Sequence, residues 1–101
     1  MPLITSVLGK KPTIHQNVFI AANASIIGDV CIGSESSIWY NAVLRGDVNK
    51  IKIGKRVNIQ DGTIIHSTYK KSSTVIANNV TVGHNAILHG CIIKNNVLVG
   101  M

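Results

Sequence analysis

The chain has little with which to grip a nucleic acid: its four aromatic residues, Phe19, Trp39, Tyr40 and Tyr69, offer few faces for base stacking. Acidic residues are equally scarce. Ten Lys and Arg stand against four Asp and Glu, giving a net charge of +6. The basic residues come in ones and twos, which points to a solvated basic surface with weak attraction for small anions and to no nucleic-acid partner. Only two cysteines occur, Cys31 and Cys91, each inside an apolar pattern; this argues against a disulfide framework and for a reduced compartment. No apolar run approaches the roughly 20 residues of a membrane helix, and the start MPLITSVLGKK has no charged segment followed by an apolar core. The expectation is a cytoplasmic chain with no membrane partner. At 46% hydrophobic residues it lacks the polar bias of disorder, and 101 residues suit one domain.

What is present is a repeat. Ile20, Ile26, Ile32, Ile38 and Leu44 follow one another every six residues. The spacing resumes at Ile53, Ile59 and Ile65, again at Ile76, Val82 and Leu88, and after a five-residue step at Ile93 and Val99. Neither the helical period nor strict alternation puts a branched aliphatic at every sixth position, whereas a short strand and a turn, repeated, does. The pattern resembles the hexapeptide-repeat proteins. That resemblance implies an all-β fold, a left-handed parallel β-helix with three short strands and 18 residues per coil. Its hand departs from the usual right-handed crossover and comes from the resemblance alone. Residues 1–13 read as an N-terminal lead-in and 14–101 as the β-helix domain, with room for about four and a half coils.

The repeat marks its own interruptions. Leu44 to Ile53 is three residues too long, so GDVNK is expected to bulge; Ile65 to Ile76 is five too long, so STYKKSST is expected to protrude, and such loops are common places for function. The repeat is still running at VLVGM, so a solenoid truncated at its C-terminus is expected, with the last coil open or covered by a partner.

The same arithmetic places side chains. Face A takes Ile20, Ile38, Ile59 and Val82; face B takes Ile26, Leu44, Ile65 and Leu88; face C takes Ile32, Ile53 and Ile76. The residues after the B aliphatics form a column of Ile27, Arg45, His66 and His89. His66 and His89 then stand one above the other on successive coils, about 4.8 Å apart at the backbone, where two imidazoles can converge on a metal. His84, two residues after Val82, falls in a different column with Tyr40 and Asp61. It is expected to lie too far round the prism to share that ion within one chain, but a neighbouring subunit about a three-fold axis can supply it. Spacing leaves other uses open: solvated or core histidines, or a general base as in hexapeptide acyltransferases. His15 reads as a surface residue, Trp39 and Tyr40 as subunit-interface residues, and Cys91 as a small inward filler.

Three segments, NAVLRGD (41–47), NIQDGTIIH (58–66) and TVGHNAILHG (81–90), together resemble the gamma-class carbonic anhydrase family, and the likeness runs over nearly the whole chain from about Ile14. The resemblance implies His66, His84 and His89 as metal ligands, with His84 donated across the interface of a homotrimer. It assigns Arg45 and Asp47 to an interface ion pair that also orders the site and its anion, Gln60 to metal-bound solvent, and Asn58 and Asp61 to the pocket lining. The implied activity is reversible hydration of CO2 to bicarbonate by a metal-bound hydroxide, with Zn2+ the default ion and iron or cobalt compatible with the same ligands.

The chain departs from that pattern at the pocket mouth. Well-characterised active relatives carry glutamates after the Arg-Gly-Asp and in the loop after the first histidine; here those places hold Val48 and the acid-free STYKKSST. A proton leaving the site needs a titratable carrier, so a competent metal site with weak or absent hydration is expected. The alternatives are a hexapeptide acyltransferase with a histidine base and a non-catalytic trimeric scaffold.

Overall fold

The aliphatic at every sixth position becomes a stack of inward side chains. The computed structural model describes residues 1–101 as strands and turns, without a helix. Each coil runs along three faces in turn, with faces B and C joined into one longer strand at Ser25–Ile32 and Val43–Ile53, and every strand-to-strand pairing is parallel, giving a left-handed β-helix of about five turns. On face A, Ile20, Ile38, Ile59, Val82 and Val99 are register partners in sequence. On face B the partners are Ile4, Ile26, Leu44, Ile65 and Leu88. Face C aligns Ile14, Ile32, Ile53, Ile76 and Ile93. The three expected columns are therefore the observed ones, extended by one rung on faces A and B and by two on face C. Leu3–Thr5, inside the lead-in, already pairs with Ser25–Ile27.

Seventeen buried residues form one continuous core along the prism axis, with Ile26, Ile32, Ile38, Leu44, Ile59 and Ile65 fully covered. Each coil buries its aliphatics only between its neighbours, so the stack gains stability rung by rung. The few polar groups inside are bonded: Thr63 Oγ1 donates to the Gly83 carbonyl at 2.8 Å, and Ser36 Oγ donates to the Gly54 carbonyl at 3.0 Å.

The corners explain the asparagines. Two residues before each face-A strand the backbone takes a left-handed turn, at Asn17, Glu35, Arg56, Asn79 and Asn96, with φ between 54° and 62°. Asparagine tolerates that region better than most residues, and its amide can bond locally. Asn41, Gly62 and Asn85 hold the corresponding places at the next corner.

The third corner, between faces B and C, takes the extra residues. Gly28 pairs with Gly46 and Val30 with Ile51, so the three-residue excess sits inside one long strand, Val43–Ile53, as a bulge. The five-residue excess forms a tight excursion closed by a Thr68–Ser72 bridge, with Ser67 and Thr74 buried at its base and Tyr69, Lys70 and Lys71 exposed at its tip. Trp39 also has partners within the chain: Phe19, one coil earlier on the same face, lies against it at 4.9 Å between ring centroids, and its Nε1 donates to Ser37 Oγ at 3.0 Å. A partner within the chain thus covers much of the indole, while Tyr40 remains 46% exposed.

Candidate functional site

The strands Val43–Ile53, Ile64–His66 and Ile87–His89 stack in register on face B. Arg45 pairs with His66 and His66 with His89, all outward because Leu44, Ile65 and Leu88 point in. The His66 and His89 ring centroids are 5.0 Å apart with the planes tilted by 42°. Their strands are held at the same level by Thr74, whose hydroxyl donates to the His66 carbonyl and accepts from the Gly90 amide at 2.8 Å.

Asp47 reaches this column from the bulge. Its Oδ2 accepts from Arg45 Nη1 at 2.9 Å, and its Oδ1 lies 3.1 Å from His66 Nε2. Arg45 Nη2 stands 3.5 Å from His66 Nδ1. A neutral imidazole protonated on Nε2 satisfies both contacts, donating to the carboxylate and accepting from the guanidinium. Burial works to raise the Asp47 carboxyl pKa, but the hydrogen bonds from His66 and Arg45 and the charge of Arg45 outweigh it, so the group titrates below its ordinary value. Gly46 lets the start of this bulge pass close to the coil before it: a Cβ there would sit 2.6 Å from the Asp29 carbonyl oxygen.

His84 stands elsewhere. It lies at the turn after Thr81–Val82 on face A, with Nδ1 3.3 Å from Asp61 Oδ1, and both side chains are about half exposed (50% and 46%). Asp61 belongs to the rung below, as the Asn85 amide donating to the Asp61 carbonyl at 2.9 Å shows. Gln60 is on the same side, its backbone N–H donating to the Val82 carbonyl. Asn58 is drawn away by Ser37, whose hydroxyl donates to Asn58 Oδ1 at 3.2 Å.

The sequence-derived residues thus fall into two groups. Arg45, Asp47, His66 and His89 come together on face B; Gln60, Asp61 and His84 gather at the end of face A; Asn58 contacts neither set of histidines. No three His, Cys, Asp or Glu side chains within one chain form a group able to hold a metal. The donor chemistry nonetheless fits a divalent ion such as zinc in part, since two adjacent outward imidazoles supply two of the ligands a tetrahedral site uses. For His66 to bind through Nε2, that nitrogen must give up its proton and its bond to Asp47.

One feature escaped the motif reading. Two residues before each member of the Arg45, His66, His89 column stands an outward aliphatic: Val43, Ile64 and Ile87 are register partners, with Ile64 and Ile87 exposed at 36% and 74%. The signal was in the sequence as the first letter of VLR, IIH and ILH, but it is legible only once the outward positions are known.

Residues 11–46 match the family model described as bacterial transferase hexapeptide (six repeats). Over 97% of its length the chain is 48% identical to gamma carbonic anhydrase 2, mitochondrial, of Arabidopsis thaliana, and over 87% it is 56% identical to a probable carbonic anhydrase of Methanocaldococcus jannaschii. It spans 37% and 55% of those two proteins. A solved structure of a hexapeptide transferase family protein from Anaplasma phagocytophilum superposes with a TM-score of 0.93 at 50% identity, over 98% of this chain and 57% of that one. Together with the shared repeat, identity at this level across nearly the whole sequence shows that the chain belongs to the gamma carbonic anhydrase-like family of hexapeptide-repeat proteins.

Proposed function

We propose that this chain binds a divalent metal between subunits and belongs functionally to the carbonic anhydrase type, with weak or absent CO2 hydration. His66 and His89 of one protomer and His84 of the next are the ligands in this reading, arranged about the three-fold axis of a homotrimer. The observation that carries it is the separation of the histidines: two are stacked on face B at 5.0 Å between centroids, and the third is half exposed on another face. Closed three-fold symmetry gives every subunit both halves of a site, one at each of two interfaces. The outward Val43, Ile64 and Ile87 beside the histidine column support burial of that face against a second copy.

Zinc held by three neutral imidazoles would lower the pKa of a bound water and so supply a nucleophile near neutral pH. The protein's own part is positioning. Asp47 holds the Arg45 guanidinium through a 2.9 Å hydrogen bond and so presents a fixed cation to an anionic product such as bicarbonate. Gln60 supplies a neutral amide that can orient solvent, and Asp61 holds His84 by its Nδ1, leaving Nε2 to face outward as a donor to an ion. Val48 puts an aliphatic side chain beside Asp47 where a proton carrier would serve hydration, which is why the rate is set low.

A second reading is favoured by one contact. A histidine whose Nδ1 is oriented by a carboxylate, as His84 is by Asp61 at 3.3 Å, is also the arrangement of a general base, and the solved relative is described as a hexapeptide transferase family protein. Acyl transfer needs no stoichiometric ion. Elemental analysis of the purified protein, paired with a stopped-flow CO2 hydration assay, separates the readings. About one ion per chain with slow hydration supports the metal site; a protein that stays metal-free after incubation with zinc rejects it.

A further inference from the structure

The B–C corner, where all the extra residues of the chain emerge, gathers lysines that are far apart in sequence. Three protrusions stack there. The first is the Val7–Lys10 hairpin turn, the second the bulge around Asp47–Lys50, and the third the Thr68–Ser72 excursion. The first two share a cleft of about 230 Å3 lined in part by Leu8, Lys10, Val48 and Lys50. The second and third are tied by Asn49 Nδ2 donating to the Thr68 carbonyl at 3.2 Å and by Ser67 Oγ donating to the Lys50 carbonyl at 2.9 Å.

Each protrusion carries an exposed apolar or aromatic residue followed at once, or two positions on, by lysine. Leu8 is 91% exposed before Lys10 and Lys11, Val48 37% before Lys50, and Tyr69 62% before Lys70 and Lys71. None of these five ammonium groups has a carboxylate within 4 Å; of the two acids on the corner, Asp47 is committed to Arg45 and His66, which leaves Asp29. Leu8 moreover sits at φ 50, a region uncommon for a bulky side chain, and the turn leaves it almost wholly exposed.

We propose that this ridge is a docking surface for an anionic phospholipid bilayer. Lysines at the headgroup level draw the protein to negative lipid, while short apolar and tyrosine tips enter the interfacial layer. The mixture of tips favours lipid over nucleic acid, for which Leu8 and Val48 offer nothing and Tyr69 alone would stack. The expectation of no membrane partner rested on the missing spanning segment and does not bear on a peripheral contact. The ridge borders the mouth of the proposed metal site at Val48, but the test reads lipid binding alone and does not depend on the metal.

The test is co-sedimentation of the full chain with vesicles of phosphatidylcholine alone and of phosphatidylcholine containing about a third phosphatidylserine. Circular dichroism confirms the fold of each variant. Binding to the anionic vesicles, absent from the neutral ones, is expected. It should fall by at least about tenfold in Lys70→Glu/Lys71→Glu and by about threefold or more in Leu8→Ser/Tyr69→Ser, and stay within about twofold in Lys55→Glu/Lys94→Glu, which has the same net charge as the first variant but lies off the ridge. Absence of binding to anionic vesicles overturns the proposal. So does an equal loss in the two charge-reversed variants, which would reduce the effect to net charge, or full binding by the Leu8 and Tyr69 variant.

Discussion

His66 and His89 are register partners on adjacent rungs of face B, their ring centroids 5.0 Å apart and their planes tilted by 42°. Their separation of 23 positions is one 18-residue coil plus the five-residue excursion at Thr68–Ser72, so the pair exists because the loop is expelled at a corner and leaves the stack undisturbed. In the proposed reading, metal binding and assembly both trace to that register.

If the two rings act together on one ion, either alone should be insufficient. His66→Ala and His89→Ala are each expected to weaken zinc binding by more than the roughly 10–100-fold that losing an outer hydrogen-bond partner costs. Competition against a chromogenic chelator measures this. His15→Ala, on a different face, should leave zinc binding unchanged.

The apolar column beside the histidines predicts an assembly defect that leaves the coil intact. Ile87→Asp, at a side chain 74% exposed in the isolated chain, should shift the protein toward monomer in analytical ultracentrifugation while the far-ultraviolet spectrum is preserved. An unchanged sedimentation coefficient would place the interface elsewhere.

The missing proton carrier predicts a gain. Val48→Glu places a titratable group beside Asp47, and in zinc-loaded protein it should raise the CO2 hydration rate by at least about tenfold, a fraction of the roughly 100- to 10,000-fold that a well-positioned acid or base contributes. Stopped-flow indicator kinetics reports it, with the zinc content of both proteins measured in parallel.

Core stability should follow the inward columns. Ile59 is fully buried between Ile38 and Val82 in the middle of face A, so Ile59→Ala is expected to cost about 2–5 kcal/mol in urea denaturation. The same change at Ile92, 68% exposed on face C, should cost less than about 0.5 kcal/mol.

Most of this scaffold is readable from spacing because a coil has a fixed length and each inward position must be filled. Ile20, Ile38, Ile59 and Val82 could be aligned by counting, and the same count put His66 above Arg45 and below no other histidine but His89. Counting fails where a turn of irregular length intervenes: the Val7–Lys10 hairpin hides the rung at Leu3–Thr5, and with it the emergence of Lys10 at the corner where the two counted insertions carry Lys50 and Lys70. It also fails for side-chain reach. Phe19 covering Trp39, Ser37 holding Asn58 and Asp47 turning back onto His66 depend on rotamers and on the close passage at Gly46, which a periodic pattern does not encode.

The central claim is that the histidines of one site come from two chains, and complementation tests it most directly. One variant, His84→Ala, keeps the face-B pair; the other, His66→Ala/His89→Ala, keeps only the face-A ligand. Each is refolded alone and as an equal mixture, loaded with zinc and dialysed against a chelator before metal analysis. Neither variant alone should retain zinc, while the mixture should regain it at about one interface in four, the statistical share of pairings that join an intact face-B pair to an intact His84. Retention by His84→Ala alone, or no recovery in a mixture shown to form mixed assemblies, would contradict the account.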